Sequence, residues 1–174
     1  TIHYYQGEWE EALKNFRAGR DYMKKTGDSV SYAGSLMNIG SIYFNQGQLD
    51  TAVAYMEHAG AVFENVNDLK SAAMVYNNLG AVFGSNGNVD KGMPYIQKSL
   101  SIRKKMGNKK GLASAYSNLA TLLQGEGRFE DVIAYNDSAY EIALEIGALD
   151  DQVNALRIYY GTYKLMGKYE LAVT

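Results

Sequence analysis

Glycine returns at a fixed interval along the chain, at Gly7, Gly47, Gly87, Gly127 and Gly167, each forty residues after the last (47 − 7 = 40). A second series falls midway, at Gly27, Asn67, Gly107 and Gly147. Gly and Asn tolerate the left-handed conformation that closes a helix, so the two series together punctuate the chain about every twenty residues. Between the marks the apolar spacing is helical. Leu36, Ile39, Gly40 and Tyr43 lie at i, i+3, i+4 and i+7, and Tyr76, Leu79, Gly80 and Phe83 repeat the pattern. Period-2 alternation is absent, and the single proline is Pro94.

The pattern predicts an all-α fold of helical hairpins. The helix pairs are 31–47 with 49–66, 69–86 with 89–106, 109–126 with 129–146, and 149–166 with a last helix running to Thr174. A helix over 8–26 precedes them, with residues 1–6 as the tail of its partner. As units these read 29–68, 69–108 and 109–148, flanked by partial units 1–28 and 149–174, all in one repeat domain over 1–174. A chain that opens and closes inside a repeat is expected to be a piece of a longer one, since terminal repeats normally carry a cap.

Composition limits the function. Hydrophobic residues make up 47% of the 174, enough for a substantial core, and the net charge is −2. That balance argues against nucleic-acid binding, which needs a basic face to neutralise phosphates. The chain has no Cys, which excludes disulfides and thiolate metal sites and favours a reducing, cytoplasmic setting. No apolar run approaches the ~20 residues that cross a bilayer. No signal peptide is visible, and the chain starts at Thr1.

The copies align as Leu36-x₂-Ile39-Gly40-x₂-Tyr43 with Ala52-x₃-Met56, Tyr76-x₂-Leu79-Gly80-x₂-Phe83 with Gly92-x₃-Ile96, and Tyr116-x₂-Leu119-Ala120-x₂-Leu123 with Val132-x₃-Asn136. Flanking copies keep Ala12-x₃-Phe16 at one end and Leu156-x₂-Tyr159-Tyr160-x₂-Tyr163 with Ala172 at the other. This pattern resembles the tetratricopeptide repeat family over nearly the whole chain. It departs from that family in two ways. The usual period is 34, and the closing Pro is replaced by Lys24, Glu64, Lys104 and Leu144. Without Pro the second helix of each pair is expected to continue for one or two more turns. Long-period repeats of this kind are similar to those of kinesin light chains, Pins-type adaptors, and bacterial Rap-type and kinase-linked sensor regions. The resemblance implies an α-solenoid, a right-handed superhelix that binds a protein or extended peptide, as in an adaptor or signalling protein.

The resemblance also implies that the first helix of each pair turns one face to the stack and the opposite face to a concave groove. The groove positions are Gly34, Met37, Asn38, Ser41, Phe44 and Asn45; then Met74, Asn77, Asn78, Ala81, Gly84 and Ser85; then Ser114, Ser117, Asn118, Thr121, Gln124 and Gly125; then Asn154, Arg157, Ile158, Gly161, Lys164 and Leu165. The first three sets contain no charged residue, which rules out the Lys and Arg clamp that chaperone-tail-binding relatives close on a terminal carboxylate. Asn38, Asn78 and Asn118 share one register, and Ile158 ends the series. An Asn side chain offers two donors and an acceptor, enough to pair with a peptide N–H and C=O. Two readings stay open: a ladder that grips an extended segment, with Met37, Phe44 and Met74 selecting side chains, or residues that link adjacent helices or simply persist through repeat duplication.

Other features carry less. Tyr55, Tyr95 and Tyr135 recur at forty and read as packing between repeats, while Trp9, Leu49, Val89, Phe129 and Tyr169 read as fasteners of the turns. Pro94 would break the bond to the Asp90 carbonyl and kink its helix. A calcium loop at 85–92 fails at Lys91 and Gln97, where Gly and Glu are required. Gly125-x-Gly127 follows a helix and no strand, so it is not a dinucleotide loop, and the sequon at 136–138 falls mid-helix. His3 and His58 sit on different repeats, and Glu10–Glu11 and Asp150–Asp151 read as helix starts that favour the macrodipole. No nucleophile–base set is legible, and no cofactor or metal is expected. The function expected is a non-catalytic binding module. The alternative is a structural scaffold that associates through open solenoid ends.

Overall fold

The computed structural model describes residues 2–172, with side chains from residue 8 onward; His3 therefore lies outside the described side chains. Nine helices follow one another among the described residues, and no strand occurs: α1 (Ile2–Thr26), α2 (Ser29–Asn45), α3 (Leu49–Asn65), α4 (Leu69–Ser85), α5 (Val89–Lys105), α6 (Lys109–Gly125), α7 (Phe129–Glu145), α8 (Leu149–Leu165) and α9 (Tyr169–Ala172). The fold is an all-α solenoid of antiparallel helical hairpins.

Each of α2 to α8 has 17 residues, a rod of about 25 Å. A three-residue turn completes the half-period. The turn is built by its left-handed residue. At Gly47, φ is 75°; its amide bonds to the Phe44 carbonyl and the Gln48 amide to the Tyr43 carbonyl, both at 2.9 Å. This pair of bonds satisfies carbonyls that the helix end leaves open. Asn67, at φ 59°, makes the same closure without being glycine.

The residue after the left-handed one begins the next helix. The carboxylate of Asp28 accepts from the Ser31 amide, that of Asp68 from the Ser71 amide, and the Asn108 side chain from the Gly111 amide. The bond to Ser31 holds the Asp28 carboxyl below its ordinary pKa. The fourth member of this series is Ala148, which has no side chain to cap with, although its backbone (φ −82°, ψ 88°) matches that of Asn108 (φ −80°, ψ 78°). Ala148→Asn is expected to stabilise the chain by about 1 kcal/mol, read as a higher midpoint in thermal unfolding.

The described residues fall into two compact units, one up to Val82 and one from Phe83. In the first, Leu13, Ile39 and Ile42 form a buried cluster, with Trp9, Ala12, Phe16, Tyr43 and Tyr55 packed on it. Gly40 lets α3 come close: a Cβ there would stand 2.9 Å from Met56 Cγ and 3.1 Å from the Ala52 carbonyl oxygen. The Tyr76 ring lies over Gly60, and its hydroxyl donates to Glu64 Oε2 at 2.7 Å. In the second unit Val89, Ile96, Leu119, Ala120, Leu123, Val132 and Ile158 form the core. Arg103 reaches from α5 to the Gly111 carbonyl at 2.8 Å and to Ser99 Oγ at 3.1 Å. Desolvation lowers its pKa, but a guanidinium stays charged.

Two expectations need correction. The helix predicted over 8–26 begins earlier, because α1 runs through Gly7; an isolated Gly costs a helix only about 1 kcal/mol and does not stop it. The helices end one residue past Glu64, Lys104 and Leu144. The longer period is therefore a 17-residue helix in both halves of the hairpin, and not a tail added where Pro is missing. The recurring tyrosines stack on a ring of their own hairpin, Tyr43 on Tyr55 (5.5 Å), Phe83 on Tyr95 (5.6 Å) and Tyr116 on Tyr135 (6.1 Å), while Tyr55 and Tyr135 also pack on core clusters that include residues of a neighbouring repeat. Tyr135 takes Tyr116 because the residue in register with Tyr43 and Phe83 is Leu123, which has no ring to stack on. α5 continues through Pro94, whose missing amide leaves the Asp90 carbonyl without its helix bond.

Candidate peptide-binding faces

In the first unit Leu36, Ile39 and Gly40 bury one face of α2, and the other face carries the expected residues. Met37, Asn38, Ser41 and Phe44 are half-buried and Asn45 is exposed. Ser41 Oγ donates back to the Met37 carbonyl at 3.1 Å. On α4, Met74 and Ala81 are exposed and Asn77 and Asn78 half-buried. Asn77 Oδ1 is buried and has no donor among the described residues. The amides of Asn38 and Asn78 form no hydrogen bond with any described residue. A link between helices would require such a bond.

In the second unit Asn118 and Thr121 are exposed on α6, and the Asn118 amide likewise makes no hydrogen bond with a described residue. Thr121 Oγ1 donates to the Ser117 carbonyl at 2.9 Å. Arg157 is exposed on α8 and bonds to Asn154 Oδ1 at 2.8 Å. Four positions expected in the groove are not there. Ser117 is 3% exposed. Ile158 belongs to the core. Gln124 Nε2 donates to Thr162 Oγ1 at 2.7 Å and so ties α6 to α8. A Cβ on Gly84 would lie 1.7 Å from Leu122 Cδ1, so the missing side chain there is a seat for leucine. The cause is the same in the first three: α6 is covered by α8 as well as by α7.

Three polar positions escaped the sequence reading. Asn136 is fully buried, and its Nδ2 donates to the Ala155 carbonyl at 2.9 Å. Thr162, also fully buried, donates to the Ile158 carbonyl at 2.7 Å. Tyr159 bonds to Asp137, and burial followed by that bond pushes its phenol well above the ordinary value. Only the first was signalled, by an amide in the apolar slot held elsewhere by Phe16, Met56 and Ile96.

Among the described residues no group of three His, Cys, Asp or Glu could hold a metal ion. No helix there is long and apolar enough to cross a membrane.

Comparison with known proteins places these helices. A tetratricopeptide repeat family model matches residues 71–145, and a second matches residues 33–59. Comparison with curated proteins gave no match. Among solved structures the chain is similar to BtubC (BKLC) from P. vanneervenii, with TM-score 0.82 and 17% identity over 99% of this chain and 72% of that one. It is also similar to a Podosopora anserina putative kinesin light chain with nearly identical TPR-like repeats, with TM-score 0.75 and 16% identity over 97% and 83%. A third similar structure is Rap protein complexed with Competence and Sporulation Factor, with TM-score 0.72 and 16% identity over 99% and 48%. At these identities the likeness is one of fold.

Proposed function

We propose that this chain, which belongs to the tetratricopeptide repeat family, is a non-catalytic module that holds an extended segment of a protein partner by its backbone. The observation that carries this reading is the uncommitted side-chain amide at one register: Asn38 and Asn78 in the first unit, Asn118 in the second. An amide with two donors and an acceptor, reached by water and without a hydrogen bond to any described residue, suits a peptide N–H and C=O. Around Asn38 and Asn78 stand Met37, Phe44 and Met74, soft apolar surface on which partner side chains can pack. In the second unit, exposed Arg157 favours an acidic residue in a segment bound there. The likeness to Rap protein, crystallised with a bound factor, supports a sensing or adaptor role in a signalling protein.

The test is a peptide-display selection with the wild-type chain and two variants, Asn38→Ala with Asn78→Ala, and Asn118→Ala. Helicity is matched beforehand by circular dichroism. Each lost amide is expected to weaken retained peptides by about five- to tenfold, from roughly 1–1.5 kcal/mol per hydrogen-bonding group. Equal retention by wild type and both variants would move binding off these faces.

A second reading, self-association, is favoured by one feature. Leu149, Val153, Leu156 and Tyr160 line one side of α8 at 72, 64, 51 and 48% exposure. Their spacing of four, three and four residues is that of an interhelical seam. If association dominates, sedimentation shows a mass that rises with concentration and that Leu149→Glu with Leu156→Glu returns to one chain. A constant monomer mass removes this reading.

A further inference from the structure

A cleft of about 410 Å³ opens in the first unit, where the end of α1, the start of α2 and the last turns of α3 meet. Its volume is that of a small-ligand site. Met23, Val62 and Val66 give it apolar walls, and Lys24, Ser29, Tyr32, His58 and Asn65 bring polar groups to it. The His58 ring meets the Tyr32 ring edge-on, with centroids 5.7 Å apart. No Asp or Glu lines the cleft. Neither Lys24 nor His58 has an ion-pair partner among the described residues. Two acids close by in the sequence are engaged: Asp28 caps α2 through the Ser31 amide, and Asp21 is paired with Arg20 at 2.7 Å.

The repeat supplies its own comparison. Eighty residues on, the register of Lys24, Ser29, Val62 and Asn65 holds Lys104, Lys109, Ile142 and Glu145. There the Lys109 ammonium bonds to the Glu145 carboxylate, joining the first turn of α6 to the last turn of α7. The second unit thus carries an internal carboxylate at this place. The first unit keeps a lysine but has Asn where the acid would be.

We propose that the cleft is a second binding site, for the carboxylate of an acidic side chain in a partner peptide, with the peptide's apolar neighbour resting on Met23, Val62 and Val66. The Lys24 ammonium supplies the charge, and the His58 ring, Ser29 hydroxyl and Asn65 amide supply donors. The site shares no residue with the faces of Asn38 and Asn78 and stands independently of them.

The test is an NMR titration of the ¹⁵N-labelled chain with two blocked dipeptides, acetyl-Leu-Glu-amide and acetyl-Leu-Gln-amide. The Glu peptide is expected to shift Gly27, Ser29, Asn65 and His58 resonances in a saturable way, and to bind about three- to fivefold more tightly than its neutral isostere, the range of a partly exposed ion pair. Lys24→Gln should erase that difference. Ser29→Lys with Asn65→Glu, which transplants the pair found in the second unit, should close the site to both peptides. Equal affinity for the two peptides, no saturable shift, or shifts confined to other residues would each overturn the proposal. The comparison of the two peptides on the wild-type chain decides it even if a variant fails to fold.

Discussion

Gly40→Val lowers the unfolding free energy by about 2–3 kcal/mol, whereas Gly34→Ala in the same helix raises it by about 1 kcal/mol. The opposite signs follow from what a new side chain meets. At Gly34 an added Cβ finds nothing within 4 Å, so Ala there only removes backbone freedom from the unfolded chain and improves helix propensity. At Gly40 it meets Met56 Cγ at 2.9 Å, the Ala52 carbonyl oxygen at 3.1 Å and Tyr55 Cβ at 3.3 Å. Met56 is 2% exposed, so its Cγ has little room to turn aside. The Ala52 carbonyl is backbone, so relief requires α3 to move off α2, which also pulls Tyr55 from its stack on Tyr43. A stacked pair of this kind is worth about 0.5–1.5 kcal/mol beyond its buried area, and part of that is lost with the shift. Urea unfolding followed by circular dichroism reads both variants. A Gly40→Val chain as stable as the wild type would mean that close approach of α2 and α3 is not the reason for glycine at this register.

The two glycines show what a sequence can and cannot disclose. The hairpin architecture is legible because its signals are local. Gly27, Gly47 and their successors adopt the positive φ that their spacing implies, and the i, i+3, i+4 residues Leu36, Ile39 and Gly40 are buried. Gly40 can be assigned to the packed face by its angle on the helix, and Gly34 to the opposite one. Groove positions are harder because a helical wheel gives direction relative to one helix and says nothing of which later helix arrives. Ser117 and Gln124 are small or polar, in register with residues that are accessible in the first unit, and so they resemble groove residues. Their environment is set by α8, whose Thr162 lies 38 residues beyond Gln124. Gly7 misleads for the opposite reason: its spacing fits the turn series, but α1 continues through it. The cleft beside His58 is invisible in the sequence, since it exists only where three helix ends converge.

Asn136→Leu stabilises the second unit by about 1–2 kcal/mol, and Asn136→Ala destabilises it by about 2 kcal/mol. Asn136 is 0% exposed and occupies the apolar slot filled by Met56 and Ile96 in earlier copies, each 2% exposed. Its Nδ2 donates to the Ala155 carbonyl at 2.9 Å, but its Oδ1 is buried with no partner among the described residues. An orphaned buried acceptor costs about 1–3 kcal/mol, and a typical hydrogen bond returns about 1 kcal/mol, so the amide is a net burden at this position. Leu has the same number of side-chain heavy atoms, removes donor and acceptor together, and leaves Ala155 inside α8, where a carbonyl is already used by the helix ladder. Ala removes the same atoms but opens a cavity between α7 and α8, and that cost exceeds the relief. The amide has one use that Leu cannot supply: its bond to a single carbonyl fixes the register of α8 on α7. If that use dominates, Asn136→Leu unfolds at a higher urea concentration but over a broader transition, with Tyr159 freed from Asp137. If Asn136→Leu is instead less stable than wild type, the hydrogen bond to Ala155 outweighs the orphaned oxygen, and the amide is a net stabiliser of this core.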